Sequence, residues 1–247
     1  MYKQIEFNIT FSYSNMMTEY LFLNDGNNLL LEGDFGYLSY ENKTYFSSHI
    51  LFYSPSLHTF SNNRMPFEMQ IIHKDDKGNQ ISVSILYKYS KSDYSLFLDH
   101  LGFDKEQLRI QQAFLPTTIK EDINLSKYVN DEKDFFVYES NIFLPPCDKK
   151  SVNFIMTDVL KISEMQIKNF PEIVLNKNKK VQQRNERKIY TTFRMEDIEA
   201  KMKEQALKLA VIKKQKEEFE KLESLAVKQI TEKVKSENNC NFFFYFF

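Results

Sequence analysis

The stretch that most constrains the fold of this chain is Tyr45–His73, YFSSHILFYSPSLHTFSNNRMPFEMQIIH. Two runs of aliphatic and aromatic residues, His49–Tyr53 and Phe67–His73, flank a connection rich in Ser, Asn and Pro. That pattern predicts two strands joined by an irregular loop. Side chains alternate along a strand, so His49, Leu51 and Tyr53 share one face of the first run, and Glu68 and Gln70 share one face of the second. His49, His58 and His73, three of the four histidines in the chain, lie here and invite a three-histidine zinc site.

The rest of the first 193 residues continues in strands. Ile5–Ser12 alternates, and Tyr20–Asn24 with Asn28–Glu32 forms a predicted hairpin around the turn pair Asp25–Gly26. Lys74–Asn79 is a polar turn, and Gln80–Tyr89, QISVSILYKY, reads as a strand. Tyr94–Leu101 and Lys105–Gln112 have helical spacing, and Asp134–Ser140, DFFVYES, is a further strand.

These residues carry a resemblance to the α-type carbonic anhydrases. The family runs roughly F-H-F-H-x-P-S-E-H-T, then a basic residue and E-x-H-x-V-H. This chain reads ILFYSPSLHT at 50–59 and RMPFEMQIIH at 64–73. LNDGNNLLLEG at 23–33 is similar to a family strand pair, and NIFLPPC at 141–147 to the family's S-L-T-T-P-P-C. SVNFIMTDVLKISEMQIKNF at 151–170 resembles a family strand and helix, and VQQRNERKIYTTF at 181–193 the closing motif, with Asn185, Arg187, Lys188 and Tyr190 matching.

The resemblance implies a mainly β fold, a large twisted and mostly antiparallel sheet with short peripheral helices. It also implies that the domain, 1–193, is truncated at its N-terminus, because about fifty family residues precede the first matching block. In the matching register the three zinc-ligand positions are Leu51, Tyr53 and Gln70. The threonine that accepts the proton of zinc-bound hydroxide, and its neighbour, become Phe143 and Leu144, and the glutamate behind the threonine becomes Leu57. Leucine has no lone pair, glutamine is a poor zinc ligand, and a phenol must first lose its proton. The expectation is therefore no cofactor, where the family uses zinc, and an old polar funnel packed with hydrocarbon. His58 and His73 match structural family histidines, as Asn185 and Arg187 match structural positions. His49 and Glu68 are expected to form a residual, hydrogen-bonded polar pocket; the alternative is a makeshift metal site assembled with Tyr53 and Gln70. His100 is expected at the surface, and Cys147, whose family partner region is missing, as a free thiol.

Beyond residue 193 the composition changes. Residues 195–235 contain no Gly or Pro and are dense in Glu, Lys, Ala and Leu. Apolar residues including Ile212, Phe219, Leu222, Ala226 and Ile230 recur at helical steps, which predicts a long amphipathic helix over 194–237 and a possible coiled coil. The tail at 238–247, NNCNFFFYFF, is too apolar for a free end of a soluble monomer and too short to span a bilayer. It is a groove-docking segment, a membrane-interface segment or a gene-model error; the last is favoured, and the tail is assigned no function.

A net charge of −1 gives no whole-chain attraction to nucleic acid or an anionic membrane. Two cysteines, Cys147 and Cys240, make no disulfide framework. No signal peptide or transmembrane segment is visible, so the cytoplasm is the default compartment, although a lost N-terminal part would have carried any leader. The resulting expectation is a catalytically inactive carbonic-anhydrase-like module, binding a protein partner or a second copy through the helix at 195–235. The alternatives are an active zinc carbonic anhydrase with a rearranged metal site, and a binder of a small ligand in a residual cleft.

Overall fold

The computed structural model describes residues 2–4, 6–14, 19–60, 62–104, 115–141, 150–170, 180, 186–193, 207, 211 and 213–231. The chain divides into two compact units, Met1–Phe193 and Arg194–Phe247.

The first unit is built on one thirteen-stranded twisted sheet. Its centre is β6 (Lys43–Tyr53), β9 (Phe67–Lys74) and β10 (Gln80–Tyr89), paired antiparallel in that order. To one side lie β13 (Lys150–Met156), β12 (Phe135–Asn141), β15 (Ile189–Thr191) and β1 (Tyr2–Gln4). To the other lie β4 (Leu29–Glu32), β3 (Tyr20–Asn24) and β11 (Thr117–Ile119). A side branch of β2 (Ile9–Tyr13) and β5 (Gly36–Tyr40) pairs with the start of β6, and β14 (Leu160–Ile162) continues alongside β10. A separate two-stranded piece, β7 (Thr59–Phe60) with β8 (Asn63–Arg64), lies in the loop between β6 and β9. The ladders β1–β15, β10–β13 and β10–β14 are parallel and the others antiparallel.

The hairpin expected around Asp25–Gly26 joins β3 to β4. The Asp25 carboxylate accepts from the backbone N–H groups of Asn27 (2.8 Å) and Asn28 (2.5 Å), which closes the loop. The strand expected at His49–Tyr53 begins earlier, at Lys43, because its first half pairs with β5. Glu41 and Asn42, both at positive φ, make that turn, the geometry that suits the twist of a two-residue hairpin. Of the single strand read at Ile5–Ser12, Ile9–Ser12 is strand, within β2, whereas residues 6–8 are irregular; β1 lies before the run and pairs with β15.

Among the described residues of this unit, two short α-helices lie outside the sheet, α1 (Leu96–His100) and α2 (Glu164–Lys168). Ser163 and Gln166 form a capping box on α2. The Gln166 amide also donates to Ser95 O (2.8 Å) and accepts from Ser95 N (3.1 Å), the N-cap of α1. One buried side chain thus caps its own helix and fixes the start of the other. The helical spacing read at 105–112 lies outside the described residues. In the second unit, residues 213–231 form a helix whose described residues are all exposed.

The sheet has two unlike faces. One carries the main core: Phe22, Leu29, Leu31, Ile50, Phe52, Phe67, Met69, Ile71, Val83, Ile85 and Phe154 are all fully buried there. His73 belongs to this face by its alternation with Ile71, and its Nε2 hydrogen-bonds with the buried Tyr13 hydroxyl (3.0 Å). The other face of the same strands carries Leu51, Tyr53, Glu68, Gln70, Ser82 and Ser84. β9 is therefore buried on both sides from Phe67 to His73.

Burial lowers the His73 pKa to about 3, so the folded chain holds this ring neutral. Burial, with Lys74, likewise lowers His49 to about 4. An unfolded histidine takes up its proton near pH 6.5, so this contribution to stability is full above that value and is lost below it. Chemical unfolding is expected to show a loss of about 2 kcal/mol from His73 alone between pH 7 and pH 5, with His49 adding to the slope. His73→Gln is expected to flatten the profile by its share.

Candidate functional site

The candidate site lies on the second face of β6, β9 and β10. Leu51 stands directly opposite Gln70 in the β6–β9 ladder, and Tyr53 opposite Glu68. On the far side of β9, Gln70 faces Ser84 and Glu68 faces Leu86. Leu51, Tyr53 and Gln70 are thus adjacent on one face of two paired strands. Leu51 is 2% exposed and belongs to an apolar cluster with Leu30 and Ile72, against which Leu23 and Tyr53 pack. The Gln70 amide donates to Ser84 Oγ (3.3 Å). The Tyr53 hydroxyl is buried without a hydrogen-bond partner among the described residues. Burial first, then Glu68 and Asp25, raises its pKa, so it is a neutral phenol.

This donor set does not fit zinc. A catalytic zinc takes three nitrogen, sulfur or carboxylate ligands and keeps one position for water. Here one side chain is hydrocarbon, one is an amide engaged with a serine, and one is a phenol held protonated. Among the described residues no group of three or more His, Cys, Asp or Glu is placed to hold a metal ion.

Beside these residues runs a polar chain. Glu68, with no solvent exposure, accepts from His58 N (2.9 Å) and from His58 Nδ1 (2.6 Å). His58 Nε2 lies 2.7 Å from the Tyr138 hydroxyl on β12. Burial opposes ionisation of Glu68, but His58 and the hydrogen bonds from it and from Ser84 outweigh that and hold the carboxyl below its ordinary range. Burial and the Glu68 charge raise the Tyr138 phenol, so it stays protonated. With both ring nitrogens engaged, His58 has none left to act as a base on a ligand.

The loop that delivers His58 is held by its own bonds. Arg64 donates to the backbone carbonyls of Ser56 and Leu57 (3.1 Å to Leu57), and Ser56 Oγ donates to His58 O (2.6 Å) while accepting from Met65 N (2.9 Å). Leu57 is half-buried here. Next along the face, Ser82 Oγ donates to Asn153 Oδ1 (2.6 Å), whose amide donates to Ser140 Oγ (2.8 Å).

The residual polar pocket expected of His49 and Glu68 is not formed. His49 pairs opposite Ile72, four residues along β9 from Glu68, a separation of about 13 Å at the strand rise. Its Nδ1 instead shares a hydrogen bond with Ser48 Oγ (2.9 Å), at the bulge that interrupts the β6–β9 ladder. His58 is bonded to Glu68, whereas His73 points to the opposite face and meets Tyr13. His100 is at the surface near Glu121 (3.9 Å). Arg187 is close enough to Tyr138 for its charge to act on the phenol. Phe143, Leu144, Cys147 and Asn185 lie outside the described residues. Tyr138, Ser84 and Asn153 were not anticipated from sequence. Their signal was the alternation of polar side chains in QISVS and in FVYES, where Ser82 and Ser84, and Tyr138 and Ser140, fall on one face.

A twisted sheet with its site across three central antiparallel strands is the architecture of the α-type carbonic anhydrases. The chain belongs to this family: residues 8–197 match the model described as eukaryotic-type carbonic anhydrase. Among curated relatives, dioscorin dioA3 of Dioscorea japonica is 26% identical over 147 residues, covering 58% of this chain and 52% of the relative. Alpha carbonic anhydrase 8 of Arabidopsis thaliana is 23% identical over 116 residues, covering 47% of this chain and 29% of the relative. The chain thus spans about half the length, or less, of these curated relatives. Of solved structures, a hyperthermostable carbonic anhydrase from an active hydrothermal vent chimney superposes with a TM-score of 0.67 at 21% identity, over 78% of this chain and 83% of the other. A dioscorin complexed with ascorbate superposes with a TM-score of 0.64 at 22% identity, over 77% and 80%.

Removing the hydrogen-bonding partner of a buried carboxylate leaves its charge uncompensated. His58→Ala is therefore expected to lower the unfolding free energy by about 3 kcal/mol. Leu57→Ala, a change at a half-buried side chain, is expected to cost under about 1.5 kcal/mol. Equilibrium denaturation of the two variants side by side checks the ranking.

Proposed function

We propose that this chain is a catalytically inactive carbonic-anhydrase-like protein that acts as a structural or protein-interaction module. The observation that carries the reading is the placement of Leu51, buried in the cluster with Leu30 and Ile72 and facing Gln70. The family resemblance puts two zinc ligands at these positions, and the third at Tyr53. The hydration of carbon dioxide in this family needs a metal to bring bound water to a pKa of about 7. An alkyl cluster offers no substitute for that metal, and the protonated Tyr53 phenol is not a nucleophile at neutral pH.

The interaction role is supported by the second unit. Its helix at 213–231 exposes Phe219 (67%), Leu222 (65%) and Ile230 (64%). Large apolar side chains repeated along one stripe mark a contact surface. No helix among the described residues is long and apolar enough to cross a membrane.

Metal analysis of the purified chain is expected to find zinc well below one per chain, and stopped-flow assays no sulfonamide-sensitive hydration of carbon dioxide. Stoichiometric zinc with such activity would overturn the reading. The variant carrying Leu51→His, Tyr53→His and Gln70→His restores three imidazoles to neighbouring positions on β6 and β9. It is expected to take up zinc where the parent does not, with thermal unfolding showing that it remains folded.

A further inference from the structure

The exposed stripe on 213–231 carries a charge pattern that selects its partner. On a helix of 3.6 residues per turn, Phe219, Leu222, Ala226 and Ile230 fall within an arc of about 80°. In heptad terms Phe219 and Ala226 occupy a positions and Leu222 a d position. Lys216 and Glu223 then border the stripe on one flank at e, and Glu218 and Leu225 border it on the other at g. All of these residues are described as exposed.

We propose that the chain self-associates through this helix, pairing antiparallel with the same helix of a second copy; the inference rests on the reading of the helix as a contact element. When two such helices cross between residues 220 and 221, Phe219 packs against Leu222 of the second copy and Leu222 against its Phe219. Outward from the crossing, Ala226 at a meets Gln215 at d. Antiparallel pairing brings e flanks together, so Lys216 of each copy faces Glu223 of the other, giving two favourable pairs beside the central apolar layers. Parallel pairing brings g of one helix to the following e of the other. It would set Glu218 of each copy against Glu223 of the other, two like-charge contacts. The same residues are thus complementary in one orientation and repulsive in the other, and like-charge juxtaposition is what excludes a wrong partner or register.

The test uses the full chain. Analytical ultracentrifugation is expected to show a concentration-dependent dimer, and Leu222→Asp a monomer of unchanged sheet circular dichroism. Lys216→Glu is expected to weaken the dimer about tenfold, by losing attraction and adding repulsion, and the double variant Lys216→Glu with Glu223→Lys to restore it. For orientation, Cys147 and Cys240 are replaced by Ser and a spin label is placed at Thr231→Cys. Antiparallel helices hold the two labels about 30 Å apart along the pair axis, whereas parallel helices hold them level. A chain that remains monomeric at the highest attainable concentration overturns the inference. So does a dimer indifferent to Leu222→Asp, a dimer strengthened by Glu223→Lys alone, or labels found level. Zinc content and turnover do not enter these readouts, so failure here is separable from failure of the inactive-module reading.

Discussion

The first unit depends on a carboxylate that no water reaches. Glu68 sits on β9, the strand buried on both faces. A charge there is tolerated only when paired and saturated with hydrogen bonds. His58 supplies a backbone N–H and a ring N–H, and Ser84 adds a hydroxyl. To bring His58 to that point, the loop after β6 must fold back over the sheet, and Arg64 and Ser56 hold it there. Tyr138 then ties the far ring nitrogen to β12. One buried charge thereby fixes the conformation of a loop and its position against strands distant in sequence.

The residues beside this network meet it through Ser84, which serves both Glu68 and Gln70. Glu68 draws its partners from His58 and Ser84, while Gln70 bonds Ser84 alone and Leu51 sits among hydrocarbons. Glu68 takes no hydrogen bond from residues 51, 53 or 70, so substitution there leaves its bonds from His58 and Ser84 in place. Replacing polar groups together with their partners costs far less than removing one of a pair. The unpartnered Tyr53 hydroxyl is the exception on this face.

Much of the fold was legible because the periodicities were strong. β10 falls on the run QISVSILYKY, and the Asp25–Gly26 turn joins the strands on either side of it. Where the reading failed, pairing rather than local preference decided. β6 reaches back to Lys43 because β5 is available to pair with it, and of the Ile5–Ser12 run only Ile9–Ser12 finds a partner, also in β5. The candidate site was half legible. Alternation placed Leu51 with Tyr53 and Gln70 with Glu68, and the family resemblance joined the two sets, but neither said how far His49 lies from Glu68. Register settles that: the bulge sets His49 opposite Ile72. The partner of His58 across eighty residues of chain, Tyr138, is a tertiary fact that neither local pattern contains.

The two faces of the sheet divide the physical work unequally. The face holding Phe22, Phe52, Phe67, Phe103 and Phe170 is a dense aromatic layer, with ring centroids of neighbouring pairs about 5.5 to 6 Å apart. Such packing supplies most of the hydrophobic stabilisation and tolerates little change in volume. The opposite face holds serines, amides, a few leucines and one hydrogen-bonded carboxylate. Substitution there alters chemistry without disturbing the aromatic layer, because side chains on the two faces of a strand do not touch. A fold built this way can change what its site does, or lose the reaction altogether, while the other face keeps the sheet intact. The fold is then chiefly a statement about the aromatic face, and activity is a separate question about the other.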